Sequence, residues 1–307
     1  MSEGNNKFQF VKLDEQASEH ISAPVYSYWK SVWRTFFKNK LAIFMLAVAV
    51  LVIIFSFIQP MFSGYDINAK LNILDTSRRY LSPSAEFWFG TDNVGDSLFD
   101  AVWAAAGSSL EISLIVTTIN TVIGITVGAI WGYSKKLDAI LIEIYNIIAN
   151  VPFILIVMIM SYILGQGKWQ LIFAMTVTGW MGTAYFIRTQ VMIIRDREYN
   201  LASRCLGTPL IRMVTKNILP YLISVIVTLV SREIPSNISY EVFLSYMDLG
   251  LDERVPSLGR LISNYTSFMS AYPHMFWIPV AVLATVTVSL YLVGQFLADA
   301  SDPKTHM

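Results

Sequence analysis

Three polar side chains recur at helical spacing inside an otherwise apolar stretch. They are Glu143, Asn146 and Asn150, and Pro152 follows them. Residues three and four positions apart share one face of a helix, so these groups form a polar stripe. A stripe of this kind avoids lipid. It lines a path for a polar solute, with Pro152 as a hinge, or it packs against another helix, and both interpretations stay open.

Two adjacent charges, Arg232 and Glu233, lie late in a second apolar stretch, shortly before Pro235. A charged side chain at the bilayer centre costs about 2.5–3.5 kcal/mol on insertion scales, so both residues must face protein, water or the membrane interface. The pair therefore lines a transport path or lies at the interface just before Pro235.

An arginine-rich stretch separates two further apolar segments, between Arg188 and Asn217. Helix-forming residues there are followed by Gly207 and Pro209, which stop a helix through backbone freedom and a missing N–H group. The stretch predicts a short helix and then a bend, before an apolar segment that opens at Ile218. Its charge alone favours a basic loop attracted to anionic lipid.

Catalytic and metal-binding patterns are absent from the sequence. It contains no H-E-x-x-H, G-x-S-x-G or G-x-x-x-x-G-K-[ST] motif, and the run 165–168 does not fit the last of these. One cysteine, Cys205, and three widely separated histidines form no zinc pattern. We therefore expect no catalytic site, no metal and no cofactor in this chain.

The composition indicates an integral membrane protein. Of 307 residues, 54% are hydrophobic and 14% are charged, and the mean hydropathy is +0.52. This apolar content is higher than that of an average soluble domain. The first forty residues lack the pattern of a secretory signal, so we expect them to stay on the mature protein.

Six apolar stretches are long enough to cross a bilayer as helices. The predicted spans are 41–59, 112–133, 139–164, 170–187, a fifth that starts at Ile218, and 275–298. The predicted organisation is an N-terminal segment 1–40, the first span 41–59, a loop 60–108, a five-helix core 109–298 that includes loops 188–217 and 235–274, and a tail 299–307. Gly124, Gly128 and Gly132 form a ridge of small residues that predicts close packing of the second span against another helix.

The distribution of lysine and arginine orients these spans. With six spans both termini share a side, and fifteen of the 22 basic residues fall on that side, against seven opposite. Basic residues accumulate on the cytoplasmic side of membrane proteins. Both termini and the loop 188–217 are therefore predicted to be cytoplasmic, and the loops 60–108 and 235–274 extracytoplasmic.

The arginine-rich stretch resembles the EAA motif of binding-protein-dependent ABC importer permeases. Ala202, Ser203, Gly207 and the run 218–220 (Ile-Leu-Pro) fit its spacing. Leu201 stands where the family usually has glutamate, which weakens any role given to an acidic side chain there but leaves the shape of helix and bend.

Further motifs are similar to the C-type permease subunit of oligopeptide and dipeptide importers, in the version of streptococci and lactic acid bacteria. They are Phe89–Asp92 with Gly95, the glycine-spaced second span with Tyr133, Asp138 and Pro152, Leu244–Leu251, and Ala300–Pro303. Asp96-Ser97 departs from the usual Arg-Asp. The resemblance covers the chain from about residue 30 to its end.

The resemblance implies an all-α, MetI-like permease of the type I ABC importer fold in a bacterial plasma membrane. It implies that the region 197–214 docks on an ATPase, through residues that include Glu198, Leu201, Ala202, Ser203, Arg204, Gly207, Thr208 and Arg212. The expected partners are a second permease, two ATPases that bind ATP and Mg²⁺, a lipid-anchored extracellular peptide-binding protein, a peptide and membrane lipid, with no nucleic acid. A stand-alone secondary transporter or channel is the alternative, although neither an internal repeat nor many buried charges support it.

Overall fold

The computed structural model describes residues 27–66 and 75–301, and apart from one isolated bridge their regular structure is helical. Predictions for residues 1–26, 67–74 and 302–307 lie outside the described residues. The helices are α1 (Tyr28–Phe36), α2 (Lys40–Ser63), α3 (Leu98–Tyr133), α4 (Lys135–Ala149), α5 (Phe153–Leu164), α6 (Lys168–Arg195), α7 (Glu198–Cys205), α8 (Leu210–Tyr246), α9 (Leu258–Tyr265) and α10 (Pro273–Ser301). The first part of α8 contains a π turn, Met213–Ile218, and a 3₁₀ turn, Leu219–Leu222.

Polar side chains define where several helices begin. The side-chain oxygen of Asn39 accepts hydrogen bonds from the backbone N–H groups of Leu41 and Ala42, at 2.9 and 3.3 Å. Serine hydroxyls accept backbone N–H groups in the same way at the starts of α3, α4 and α9, namely Ser97, Ser134 and Ser257. Because the first N–H groups of a helix have no partner within it, these caps stabilise the helix starts.

The close approach of α3 and α6 depends on glycine. A Cβ atom at Gly124 would lie 2.6 Å from the side chain of Thr183, and one at Gly128 would overlap the backbone of Ala184. Gly132 meets the last part of α6 in the same way. The predicted ridge of small residues is confirmed, and its partner is α6.

Three apolar cores follow one another along α3. The first joins α2, α3, α8, α9 and α10, the second joins α3, α5, α6 and α8, and the third joins the last turns of α3 with α6 and the start of α8. Both α3 and α8 contribute buried residues to all three cores. Since close-packed interiors transmit displacement, this pair connects the two ends of the bundle mechanically.

Four helices are long and apolar enough to cross a membrane: α2, α3, α8 and α10. A fifth crossing results if the bent pair α4–α5 counts as one span. The remaining predicted span falls on α6, which has 28 residues but does not meet the same criterion of apolar composition.

Two helices extend into segments that the sequence predicts as loops. Helix α3 begins at Leu98, so the last part of the predicted loop 60–108 is helical. Residues of this part, Ala105 and Gly107 among them, are buried within the helix bundle. Helix α8 continues through Pro235 to Tyr246, so the first part of the predicted loop 235–274 is helical. Proline is tolerated in membrane helices, and here it did not end the helix.

The cytoplasmic loop predicted at 188–217 is also shorter than expected. Helix α6 continues to Arg195, and α8 begins at Leu210 rather than at the predicted Ile218. The predicted boundaries were wrong because the arginines lower the local hydropathy, as the polar residues of a loop do. The connection left between the two long helices consists of α7 and a short turn.

The predicted third span, 139–164, is not one straight helix. Helices α4 and α5 meet at an angle of 77° across a break of a few residues that contains Asn150 and Pro152. Pro152 lacks a backbone N–H group and its ring disfavours helical geometry before it, which accounts for the break. None of the residues of α4 is buried in the chain.

Candidate functional site

The first candidate site is the corner formed by α7 and the turn that follows it. Helix α7 spans eight residues, Glu198–Cys205. It ends before Gly207, which has a φ of 79°, a conformation that glycine adopts without strain. Pro209 then precedes α8. The prediction of a short helix followed by a bend is confirmed.

Side-chain hydrogen bonds attach this corner to both long helices. The fully buried amide of Asn200 donates to the Ile194 carbonyl oxygen of α6 at 2.9 Å. The Ser203 and Thr208 hydroxyls lie 2.9 Å apart across the bend, and the Asn217 amide of α8 donates to the Ser203 hydroxyl at 3.2 Å. These bonds close the turn on itself, so α7 is held to α6 and α8 and is not a loose loop.

Charged groups reinforce the same corner. The Arg195 guanidinium donates to the Gly132 carbonyl oxygen at 2.9 Å and pairs with the Asp196 carboxylate at 3.0 Å. The Arg195 hydrogen bond holds the pKa of Asp196 below its ordinary value. The Arg204 guanidinium lies 5.3 Å from the centre of the Tyr133 ring, a cation–π contact to the end of α3.

The outer surface of the corner is apolar at its centre. Leu206 and Ile211 are 87% and 74% exposed, and Leu201 and Tyr199 are also exposed. Of the predicted ATPase-contacting residues, Glu198, Leu201, Ala202, Arg204, Gly207 and Arg212 are exposed, whereas Ser203 and Thr208 are half-buried and make the internal bonds described above. Exposed apolar residues with a polar rim mark surfaces that bind another protein.

The second candidate site is a cavity of about 390 Å³ enclosed by α3, α6, α8 and the α4–α5 bend. Its polar walls include Asn120, Tyr145, Glu233, Asn237 and Tyr240. A volume of this size is within the range of roughly 300–1,000 Å³ found for small-molecule sites.

The carboxylate of Glu233 connects three helices at this cavity. Its two oxygens accept hydrogen bonds from the Thr183 hydroxyl of α6 and, at 3.4 Å, from the Thr121 hydroxyl of α3. Glu233 also borders a second cavity, of about 260 Å³, which Arg232 lines from the same helix. Of the two adjacent charged residues, Glu233 is therefore half-buried and Arg232 is exposed.

The predicted polar stripe is separated from this carboxylate. Glu143, Asn146 and Asn150 are exposed on α4, while Pro152 lines the larger cavity. Asn150, directly after α4, donates a hydrogen bond to the Asn146 carbonyl oxygen of that helix at 2.5 Å. Among the residues that the structure describes, the exposure of the stripe therefore does not identify it as an internal packing face.

Sequence reasoning missed several polar residues at the cavity and around Glu233. Asn120 and Asn237 line the cavity, and Asn237 follows Glu233 by one turn. Thr121 and Thr183 are the hydrogen-bond partners of the Glu233 carboxylate. Asn237 donates to the Thr117 hydroxyl at 2.8 Å. The sequence contained one signal for this site. Glu233 and Asn237 are four residues apart, so they share one face of a helix if that helix continues through Pro235.

The Gly-Thr-Asp and Leu244–Leu251 motifs hold loops together. Thr91 donates to the Arg78 carbonyl oxygen at 2.5 Å, and Asp92 accepts the backbone N–H groups of Val94 and Asp96, both at 2.9 Å. Asp248 pairs with Arg260 at 2.7 Å. These residues shape the surface opposite the α7 corner.

Comparison with known families matches two parts of the chain. Residues 124–307 match the family of binding-protein-dependent transport system inner membrane components, and residues 27–83 match the N-terminal TM domain of oligopeptide transport permease C. The chain belongs to this transport permease family. The resemblance predicted from the EAA-like spacing is confirmed.

Similar proteins include members of peptide transport systems. The chain is 55% identical over 300 residues to the oligopeptide transport system permease protein AmiD of Streptococcus pneumoniae, covering 98% of this chain and 97% of the relative. It is 33% identical to the oligopeptide transport system permease protein OppC of Bacillus subtilis, covering 97% of each. The dipeptide transport system permease protein DppC of Bacillus subtilis is 30% identical, over 94% of this chain and 89% of that one.

Among solved structures, the chain is similar to one in inward-facing conformations of the MetNI methionine ABC transporter. The TM-score is 0.51 at 20% identity, covering 66% of this chain and 96% of the other. At this identity the likeness concerns the fold, and it confirms the predicted MetI-like architecture. This permease is therefore a multi-pass bacterial plasma-membrane subunit of an ABC importer, and the stand-alone secondary transporter or channel is not supported.

Proposed function

We propose that this permease forms half of the translocation path of an oligopeptide importer and that the α7 corner receives motion from an ATPase subunit. The observation that carries the proposal is the pairing of an exposed apolar corner with rigid attachment to α6 and α8. Oligopeptides as substrate are supported by the names of the relatives AmiD and OppC.

The proposed topology has six spans with both termini in the cytoplasm. The spans are α2, α3, the bent pair α4–α5, α6, α8 and α10. The Arg195–Gly132 hydrogen bond places the ends of α6 and α3 on one side, and Tyr28 donates to the Ser301 carbonyl oxygen at 2.9 Å, which brings both ends of the described chain together. The basic residues around the α7 corner support a cytoplasmic location for that side. The remaining parts of the loops 60–108 and 235–274 are then extracellular, with the segments 1–40 and 299–307 in the cytoplasm.

The proposed coupling is mechanical. ATP binding closes a pair of ATPase subunits, and each subunit displaces the helix seated on it. Because α7 is bonded to α6 and α8, its displacement tilts both helices, and because α8 belongs to all three apolar cores, the tilt reaches the cavity at Glu233. ATP binding thus shifts the population between inward-open and outward-open states. The Pro152 break is the proposed hinge that lets α4 and α5 follow.

The remaining partners complete the importer. A second, homologous permease covers the exposed polar stripe of Glu143, Asn146 and Asn150 and supplies the other half of the path. Two ATPases bind ATP and Mg²⁺, and a lipid-anchored peptide-binding protein docks on the extracellular loops. This chain supplies no catalytic group in the proposed mechanism, and ATP hydrolysis belongs to the ATPases.

Cys205 allows a direct test, since it is the single cysteine of the sequence and is exposed on α7. In cells that make the whole importer, we expect a thiol cross-linker to join Cys205 to an ATPase subunit, and a membrane-impermeant maleimide to label Cys205 only after lysis. The purified complex in proteoliposomes should take up labelled peptide only with ATP. Labelling of intact cells would disprove the topology, and uptake that follows an ion gradient without ATP would disprove the proposed function.

A further inference from the structure

Glu233 is the one charged residue among the described residues that line the larger cavity. Within the described part of the chain, no lysine, arginine or histidine nitrogen lies within ion-pair distance of it. Its oxygens contact the Thr183 and Thr121 hydroxyls. A carboxylate in a membrane-spanning helix is costly to bury as a charge without a cationic partner, and Glu233, unlike the buried Glu241 of the same helix, lines a cavity through which such a partner can reach it.

The neighbouring cavity wall also offers unused hydrogen-bond acceptors. Asn120 is 3% exposed, and its side-chain oxygen has no hydrogen-bond partner among the described residues. The buried hydroxyl oxygen of Thr178, from α6, likewise has none in the part of the chain that the structure covers. Buried polar atoms without partners are uncommon in proteins, and at the wall of a cavity a ligand or water can supply the missing hydrogen bond.

The same cavity presents aromatic rings. Tyr145, Phe153 and Tyr240 line it, and the Phe153 and Tyr240 rings lie 5.1 Å apart. Ring faces attract cations, and an ammonium group carries three N–H donors and a positive charge. A carboxylate, two free acceptor oxygens and ring faces together match a primary ammonium group. A multivalent metal ion fits less well, because no cluster of three His, Cys, Asp or Glu side chains occurs in the described residues.

We propose that the cavity binds a primary ammonium group of the peptide in transit, with Glu233 as its counter-ion. The inference rests on the proposed function, since it takes the cavity to be part of the peptide path. The ammonium group comes from the peptide amino terminus or from a lysine side chain. In either case this residue makes the permease itself selective, in addition to any selection by the binding protein.

The test compares three labelled peptides in proteoliposomes that contain the complete importer and its binding protein. One has a free amino terminus and no lysine, the second is its N-acetylated form, and the third is N-acetylated but contains one lysine. The binding protein is the same in every arm, and its affinity for each peptide is measured separately. The readout is the ratio of ATP-dependent uptake rates per assembled complex.

We expect Glu233→Gln to reduce the ratio of free-amine to acetylated peptide uptake by roughly tenfold, the effect of losing one charge-assisted hydrogen bond. Glu233→Asp should keep most of the preference because it keeps the charge. Glu241→Gln is the matched control: Glu241 is buried in the same helix, bonded to the Ser245 hydroxyl at 2.7 Å, and does not line the cavity. Its substitution should lower the amount of complex without changing the ratio.

An unchanged ratio in Glu233→Gln would overturn the proposal, as would an equal loss of uptake for all three peptides. If that variant does not assemble, Thr178→Val removes one free acceptor with little change of shape and should still lower the ratio about two- to threefold, through a weaker neutral bond. The lysine peptide identifies which ammonium group is bound. Absence of ATP-dependent uptake by the wild type would contradict the proposed function, whereas uptake with no preference would contradict this inference alone.

Discussion

The Arg188 guanidinium forms an ion pair with the Asp138 carboxylate and thereby joins α6 to the first turn of α4. The two side chains are 11% and 20% exposed, and the guanidinium lies 5.3 Å from the centre of the Trp131 ring. Because none of the residues of α4 is buried within the chain, this pair is one of its principal attachments to the bundle.

Replacing Asp138 with asparagine should destabilise the permease. The expected loss lies between about 1 kcal/mol for an exposed pair and about 3–5 kcal/mol for a fully buried one, since Arg188 would keep its charge without its partner. Thermal unfolding of the purified protein in detergent measures it. Asp196→Asn is the control, because Asp196 is 49% exposed and its loss should cost less than about 1 kcal/mol. Equal losses in both variants would contradict this account.

Packing of α3 on α6 predicts opposite effects for two Gly→Ala substitutions. Gly128→Ala should destabilise by about 1–3 kcal/mol, because the added methyl group would overlap the backbone of Ala184. Gly182→Ala, in α6, meets no atom within 4 Å and should stabilise by up to about 1 kcal/mol through better helix propensity. Thermal midpoints in detergent give both signs. A stable Gly128→Ala variant would show that the helices can separate without cost.

The bend after α7 predicts a specific loss of coupling in Gly207→Val. A branched side chain at a φ of 79° costs about 1–2 kcal/mol, which favours other conformations of the turn. ATPase association and peptide uptake should both fall. Gly165→Val is matched to it, because Gly165 has a φ of 82° and both glycines have no atom within 4 Å of an added Cβ. That variant should carry substantial strain, because the ψ of 174° at Gly165 lies in a region that only glycine adopts readily, yet it should retain the ATPase subunits during purification. Normal coupling in Gly207→Val would count against the α7 corner as the coupling element.

Because the outer surface of the α7 corner is apolar at its centre, charged residues there should prevent docking of the ATPases without unfolding the chain. Leu206→Asp combined with Ile211→Asp should abolish copurification of the ATPases, since both side chains are exposed and would meet an apolar cleft. The thermal midpoint of the permease alone should stay unchanged. The conservative pair Leu206→Met and Ile211→Val should copurify normally. Retention of the ATPases by the aspartate variant would exclude this surface from the interface.

Asp92 lies in the loop between α2 and α3, and its buried carboxyl should make the stability of the protein depend on pH. Burial raises the pKa of this carboxyl above its ordinary value of 3.8, although the backbone N–H groups of Asp96 and Val94 act in the opposite direction. A folded-state pKa above the unfolded value gives stability that is complete below about 3.8 and is lost as the pH rises through the folded pKa.

Asp92→Asn should therefore flatten the profile of thermal midpoint against pH above about pH 4. Asparagine keeps an oxygen for both backbone N–H groups, so the loop should retain its shape. Asp75→Asn is the control. Hydrogen bonds to Ser77 hold the pKa of the exposed Asp75 carboxyl below its ordinary value, so its replacement should leave the slope in this pH range unchanged. Identical slopes for wild type and Asp92→Asn would disprove the assignment.

Local signals made the α7 corner and the glycine ridge predictable. Gly207 and Pro209 stop a helix whatever surrounds them, and a glycine every four residues forms a ridge on any helix. The start of α3 at Leu98 was not predictable in the same way. Residues 98–108 include Asp100, Gly107 and Ser108 and directly follow a stretch rich in Asp, Ser, Gly and Pro, so they resemble its continuation until their burial against other helices is known.

The cavity required the tertiary structure. Thr121, Thr183 and Glu233 are far apart in sequence, and each one alone is compatible with a helix-packing role. Pro152 indicated a break, but the 77° angle between α4 and α5 depends on what packs around them. Sequence identified the apolar stretches and their order, whereas the meeting of polar groups from three helices depended on helix rotation, which hydropathy does not specify.

The lack of buried residues in α4 has a consequence for biogenesis. In the proposed assembly, much of the free energy that keeps this helix in place comes from the second permease subunit, which is synthesised separately. Until that neighbour arrives, the polar side chains of Glu143, Asn146 and Asn150 face lipid, which costs free energy. Membrane proteases that recognise polar surfaces in the bilayer can then act on the unassembled subunit. Cellular levels of this subunit should therefore follow the supply of its companion, and overproduction of this chain alone should yield little lasting product.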